Sequence, residues 1–321
     1  MSLKPLITVF GATGAQGGGL VRALLGAADR PFRVRAVTRR PGSAAAQALA
    51  ERGAEICAAD LDDLASVQRA MHGAHGAFCV TNFWEHCQPD RELQQAAHLA
   101  QAAQHAGVAH VVWSTLEDTR RFVEPDGQVM PLLEGRYNVP HFDAKGQADQ
   151  FFIERGVPLT RLLTSFYWDN LIHFGMQPQR GADGRLHFVL PMGEARLPGI
   201  AAADIGVCAA ALFRDSRAFV GRRIGIAGEH LTGEQMAQAL ARALGEPVSH
   251  VAMEPADYAQ LGFAGAAELA NMFRFKHDCE AEYCAARDPA AARALHPGLM
   301  GFDRFLAFHA TQLPIAARAA A

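Results

Sequence analysis

Leu6-Ile7-Thr8-Val9-Phe10-Gly11-Ala12-Thr13-Gly14-Ala15-Gln16-Gly17 is the stretch on which the reading of this chain turns. Leu6–Phe10 is a short apolar run that reads as a buried strand, and Gly17–Leu25 places Leu20, Val21, Leu24 and Leu25 at helical spacing. Between them, Gly11 permits a tight turn, Gly14 lets the backbone approach a pyrophosphate, and Gly17 lets the helix pack closely on the strand. Amides at the helix N-terminus then face the diphosphate. A glycine pattern alone is weak. This one follows a strand and opens a helix, so Gly11, Ala12, Thr13, Gly14, Ala15, Gln16 and Gly17 are the first candidate cofactor contacts.

Working outward, strand-like and helix-like segments alternate. Phe32–Thr38, Ala54–Ala59, Gly76–Thr81, Ala109–Ser114 and Leu159–Phe166 read as strands. Ala44–Arg52, Leu64–Met71, Arg91–His105 and Phe142–Arg155 read as helices, three of them stopped by Gly53, Gly107 and Gly156. The alternation predicts an α/β fold: a doubly wound parallel sheet of Rossmann type with right-handed crossovers. Beyond residue 166, Pro and Gly punctuate the chain, and helices are expected near 203–213, 233–244, 255–275 and 302–311, with a strand near 222–227. The expected domains are 1–165 for the dinucleotide, with returning segments near 200–227, a smaller domain at 166–311 over the carboxyl edge of the sheet, and a frayed tail at 312–321.

Cofactor choice is read at the end of the second strand. A carboxylate there would bind a ribose 2′-hydroxyl. This chain has Thr38-Arg39-Arg40, and a guanidinium pairs with a 2′-phosphate, so NADP(H) is expected through Arg39. Asp60 and Leu61 are positioned to border the adenine, and Thr81, Asn82 and Phe83 lie at the switch point near the diphosphate and nicotinamide ribose.

Composition narrows the alternatives. The net charge is −3 and no basic block appears, which argues against direct nucleic-acid binding. No apolar run reaches about 18 residues, so no membrane span is expected. The start runs straight into a strand and leaves no room for a signal peptide, and the six cysteines lack a Cys-x-x-Cys pair; reduced thiols and a cytoplasmic location follow. The fourteen histidines show no ligand spacing, and no metal is expected. Of 30 basic residues only Lys4, Lys145 and Lys276 are lysines. In a chain that prefers Arg this strongly, Lys145 suggests a place where a compact ammonium is needed.

Several segments together resemble the NmrA-like family: Val9–Gly17, Val37-Thr38-Arg39, Val80-Thr81-Asn82-Phe83-Trp84-Glu85, His141-Phe142-Asp143-Ala144-Lys145-Gly146, Tyr167-Trp168-Asp169-Asn170-Leu171 and Ala270-Asn271-Met272-Phe273-Arg274-Phe275. The resemblance runs from about residue 6 to 311 and is nearest to the family's NADPH-sensing members. It implies an atypical short-chain dehydrogenase/reductase fold, with NADP(H) held by the residues above. It adds Lys145, Tyr167, Trp168, Asp169 and Asn170 near the nicotinamide. The sensing members carry a cofactor-contacting Lys in the helix after the fourth strand, where this chain has Gln94.

Short-chain dehydrogenases use a Tyr four residues before a Lys, the phenol exchanging a proton and the ammonium lowering its pKa. Four residues after Tyr137, Tyr167, Tyr258 and Tyr283 stand His141, Leu171, Gly262 and Arg287, none of them Lys. His141 holds the Tyr place before Lys145, and Ser114 stands where active members have a catalytic Ser. The expected function is therefore a redox-sensing regulatory protein acting on a protein partner, as monomer or homodimer. The alternative is an NADPH-dependent reductase of a quinone or other enone-like carbonyl, with Lys145 catalytic and His141 a substitute acid. Members of the isoflavone-reductase group also lack the Tyr and keep the Lys.

Overall fold

The computed structural model describes residues 4–316, so the end of the expected tail, 317–321, lies outside the described residues. The chain forms two compact units. The first comprises Met1–Asp118, Pro140–Thr164 and Ala202–Ile224; the second comprises Thr119–Val139, Ser165–Ala201 and the chain from Gly225 onward.

In the first unit, β1 (Leu6–Val9), α1 (Ala15–Gly26), β2 (Arg33–Thr38), α2 (Ala44–Glu51), β3 (Glu55–Ala58) and α3 (Leu64–Met71) alternate as expected. So do β4 (Gly76–Cys79), α4 (Pro89–His105), β5 (His110–Thr115), α5 (Pro140–Glu154) and β6 (Leu159–Leu163). The sheet has seven strands in the order Arg223–Gly225, β6, β5, β4, β1, β2, β3. Strand β1 pairs parallel with β2 on one side, Ile7 facing Val34, and with β4 on the other, Ile7 facing Gly76. The strand order reverses there, so the crevice at the carboxyl ends of β1 and β4 is the topological switch point. Every residue of β1 and β4 is buried, because helices cover both faces, and that is why neither strand alternates apolar with polar.

Helices α3, α4 and α5 bury Val67, Met71, Leu99, Ala103 and Phe152 with Trp113 of β5 in one core. On α1 a Cβ at Gly19 would lie 3.2 Å from the Ala203 carbonyl, and one at Gly206 would lie 2.2 Å from Gly19 carbon. The two helices, α1 and Ala202–Arg214, thus cross backbone to backbone. No helix among the described residues is long and apolar enough to cross a membrane.

The second unit holds two three-stranded sheets. In one, Leu197–Ile200 lies between Glu229–Leu231 and Phe166–Tyr167; in the other, Leu186–Val189 lies between Val248–Val251 and Gln179–Arg180. Thr232 and Gln235 form a reciprocal capping box on the helix Gly233–Leu244, which ends at left-handed Gly245. The Asn271 amide donates to the carbonyls of Pro131 and Asn138 at 2.8 and 2.7 Å, tying Thr119–Val139 to the helix Ala266–Asp278.

Several expected boundaries shift, two of them for a plain reason. The strand expected at Leu159–Phe166 stops at Leu163, because Phe166–Tyr167 pairs with Gly199–Ile200 in the other unit's sheet. The first helix starts at Ala15 rather than Gly17, since Gly14 occupies the cap position.

One buried titratable group links β5 to β6 and to the helix Ser216–Phe219. His110 places Nδ1 2.8 Å from Ser216 Oγ and Nε2 2.8 Å from Thr160 Oγ1. Burial pushes its pKa down from 6.5 to about 4. Folding therefore favours the neutral ring, and this contribution is complete above pH 6.5 and lost as pH falls towards about 4. Urea unfolding across that window should show a loss of up to about 3 kcal/mol from this group. A His110→Gln variant should be less stable at pH 7.5 and show a flatter pH profile; an unchanged profile would assign the acid sensitivity elsewhere.

Candidate active site

The turn after β1 is built as its glycines suggest. Gly11 has φ +62°, a left-handed conformation that favours glycine, and its carbonyl accepts from the Gly14 amide at 2.9 Å. A Cβ at Gly17 would lie 2.4 Å from the Gly11 carbonyl oxygen, so only glycine lets α1 begin this close to the turn. Gly14 caps α1 without a side-chain hydrogen bond. Thr13, Gly14 and Ala15 are exposed here, beside buried Ala12 and half-buried Gln16. The result is a backbone cradle at the positive end of a helix, open on the side where a phosphate would sit.

Neighbouring strand ends surround it. Arg39, just past β2, pairs with Glu85 at 2.5 Å. After β3, the Asp60 carboxylate accepts from the Asp62 amide at 3.0 Å, and the Leu61 carbonyl accepts from His98 Nδ1 at 2.7 Å. Asp62 itself is gripped by Arg91 and Gln95 of α4, and the Arg91 hydrogen bond holds its carboxyl below the usual carboxylate range. Asn82 is exposed and Phe83 buried in the 3-10 turn Phe83–Glu85.

Thr81, after β4, sits in a buried polar cluster. Lys145 Nζ lies 2.6 Å from Thr81 Oγ1, 3.1 Å from the Thr81 carbonyl and 2.6 Å from Glu92 Oε1. Thr81 Oγ1 in turn donates to Glu92 Oε1 at 2.5 Å. An ammonium has three N–H donors, so this set can take all of them. The Glu92 side chain is fully buried. Its second oxygen faces His86 Nε2 at 3.6 Å, too long for a hydrogen bond. His86 Nδ1 accepts from the Gln88 amide at 3.0 Å, which puts the neutral ring's proton on Nε2, towards Glu92. Burial holds the His86 pKa below its usual value despite the nearby carboxylate.

His141, one turn before Lys145 on α5, is buried among aromatic rings, with centroids of Phe83, Trp84 and Phe142 at 5.8, 4.9 and 4.9 Å. Ser114 is buried at the end of β5. Gln94 is exposed, whereas Glu92 points inward. Glu92 is thus the residue that sequence reasoning missed. An acid in the first turn of a helix is ordinarily a solvated partner of the helix dipole, and only its pairing with Lys145 sets it apart.

The residues Tyr167, Trp168, Asp169 and Asn170 belong to the second unit. Trp168 is core there: its ring packs against Phe302 and Phe305 at 5.3 and 5.8 Å, and a Cβ on Gly199 would collide with its indole nitrogen. Among the described residues no group of His, Cys, Asp or Glu is arranged to hold a metal ion.

Fold and site define an α/β protein with a dinucleotide-type glycine turn, a buried Lys–Glu pair and His141 in place of a tyrosine four residues before the Lys. Residues 3–306 match the NmrA-like family, and the chain belongs to it. An NmrA-like family domain-containing oxidoreductase, ptmS of Penicillium ochrochloron, is 30% identical over 217 residues, 63% of this chain and 61% of that protein. The chain therefore spans less than two thirds of that relative's length. Among solved structures, the negative transcriptional regulator NmrA in complex with NADP superposes with a TM-score of 0.76 at 20% identity, over 95% of each chain. A triphenylmethane reductase of Citrobacter sp. complexed with NADP(H) gives 0.74 at 18% identity, over 94% of this chain and 99% of the other. At these identities the likeness to the solved structures is one of fold.

Removing one member of a buried pair leaves an uncompensated charge, which costs about 3–5 kcal/mol. Glu92→Gln should therefore lower unfolding free energy by that order, and Glu92→Gln combined with Lys145→Met should recover much of it. Equal losses in the single and double variants would show that the pair is not coupled.

Proposed function

We propose that the first unit binds NADP(H) and that the protein is a redox-responsive regulator of a protein partner. When bound, the cofactor supplies a hydride donor or acceptor and a 2′-phosphate. In this reading the Gly11–Gly17 backbone and the N-terminus of α1 hold the diphosphate, and Arg39 binds the 2′-phosphate. Asp60 and Leu61 border the adenine, and Thr81, Asn82, Phe83 and Lys145 lie on the nicotinamide side. The cradle fits such a group, since Gly17 lets α1 start against the Gly11 turn, where a Cβ would lie 2.4 Å from the Gly11 carbonyl oxygen, and the backbone of Thr13, Gly14 and Ala15 is left exposed. The observation that carries the regulatory reading is the pairing at positions 141 and 145. A ring packed among three aromatics stands where a proton-donating phenol would be, and the ammonium's hydrogen bonds go inward to Thr81 and Glu92. To reach a ribose hydroxyl, Lys145 would exchange one of these partners.

The second reading is an NADPH-dependent reductase of a quinone or enone-like carbonyl. It is supported by the naming of the Penicillium relative as an oxidoreductase and by the fold shared with the NADP(H)-bound Citrobacter reductase. Hydride transfer to a quinone needs little help from a proton donor, so the absent phenol is compatible with it.

Calorimetric titration should give NADP(H) about 10- to 100-fold tighter than NAD(H), the worth of one charge-assisted phosphate contact, and Arg39→Ala should erase the preference. Against a panel of quinones and aldehydes the regulatory reading expects negligible NADPH oxidation, weaker cofactor binding in Lys145→Met, and little effect of His141→Ala beyond stability. Turnover of about one per second or more, lowered about 10²- to 10⁴-fold by Lys145→Met, would establish the reductase instead.

A further inference from the structure

The Arg39–Glu85 ion pair has a particular place in the sheet. Arg39 leaves the carboxyl end of β2 and Glu85 follows that of β4, and these strands flank β1 on either side. A 2.5 Å contact between them therefore reaches across the carboxyl end of β1, where the Gly11 turn begins. Both side chains are about half exposed, at 50% and 40%, so the pair is open to displacement by a competing anion.

Glu85 is also mechanically tied to the other end of the site. It closes the 3-10 turn Phe83–Glu85, whose backbone is held by Glu85 N–H donating to Asn82 and His86 N–H donating to Phe83, at 3.2 and 3.1 Å. The middle residue of that turn is Trp84, with its ring 4.9 Å from His141, one helical turn before Lys145. One short turn thus presents a carboxylate to Arg39 and an indole to α5.

We propose that Glu85 and the cofactor's 2′-phosphate compete for Arg39, making Glu85 a specificity-determining residue, and that the exchange shifts the Phe83–Glu85 turn and Trp84 with it. The inference rests on the reading that Arg39 receives the 2′-phosphate. A phosphate carries more charge and more acceptor oxygens than a carboxylate, so it displaces Glu85 from the guanidinium. A 2′-hydroxyl carries no charge and leaves the pair closed. The chain then registers the 2′-phosphate as a change at the turn beside His141, whether or not hydride is transferred.

The test uses the full chain with 2′-AMP and 5′-AMP as probes, followed by calorimetry and tryptophan emission. Glu85→Gln, with Glu85→Ala as a second variant, should bind 2′-AMP about threefold to tenfold more tightly, the range for loss of an exposed competing pair and its charge. Binding of 5′-AMP should stay within about twofold, and the gain should shrink at high salt. In the parent chain 2′-AMP should change tryptophan emission; Trp84→Phe should abolish that change, and 5′-AMP should not produce it. Unchanged or weaker 2′-AMP binding in both Glu85 variants, with Arg39→Ala still weakening it, would overturn the competition while leaving the NADP(H) reading intact. An Arg39→Ala variant that binds 2′-AMP normally would overturn both. Tight 2′-AMP binding with no emission change would overturn the coupling through the turn.

Discussion

The buried ammonium of Lys145 is the constraint around which the site is arranged. It joins the end of β4, through Thr81, to the first turn of α4, through Glu92, and to α5, on which it sits. A lone charge in this place would be prohibitive, and so would a lone carboxylate. Each therefore makes the other tolerable, and Thr81 bonds to both. Lys145 also lies 5.3 Å from the centre of the Trp113 ring, an attractive cation–π distance. A guanidinium is wider and planar, and would not fit three converging acceptors around one nitrogen. This is a physical reason for a lysine in a chain that otherwise uses arginine.

Two of the ion pairs in the site are of different kinds. Lys145–Glu92 is buried, locked and shared with Thr81. Arg39–Glu85 is half exposed and rests on a three-residue turn. The first keeps β4, α4 and α5 in register at the switch point. The second is labile enough to respond to what arrives there. Phe83 and Trp84 lie between them, packed on His141, so rigid and responsive parts meet in one aromatic cluster.

Much of the first unit could be read directly from the sequence. Strands β1 and β4 are short apolar runs, β2 alternates apolar and polar residues, glycines follow several of the intervening helices, and the glycine turn carries its own geometric requirement. The second unit was harder to read. Its strands are two to four residues long and most are paired across wide separations, as Phe166–Tyr167 is with Gly199–Ile200, so little local periodicity announces them. The segment Thr119–Val139 carries a 3-10 turn and an isolated bridge but no helix or strand. Among the contacts that place it are the Asn271 amide bonds and the packing of Phe122 on Phe275. Within the site, Lys145 stands out by composition, whereas nothing local in the sequence marks Glu92, and Glu85 is set apart only as the end of the Val80–Glu85 segment. What identifies them is a partner distant in sequence, and that follows from the fold.

The path of the chain has a consequence for how the protein is made. It passes from one unit to the other at Asp118/Thr119, Val139/Pro140, Thr164/Ser165, Ala201/Ala202 and Ile224/Gly225. Glycine-faced α1 leaves the ribosome long before the helix it packs on, Ala202–Arg214. Until then the part of the sheet that Ala202–Arg214 covers, including Gly76 of β4 against Phe213, stays open, and β1 and β4 are the apolar, unalternating kind that pair readily with strangers. Neither unit exists as one continuous stretch. A fragment cut at the end of β6 would therefore be an incomplete sheet lacking one of its covering helices, not a small nucleotide-binding domain.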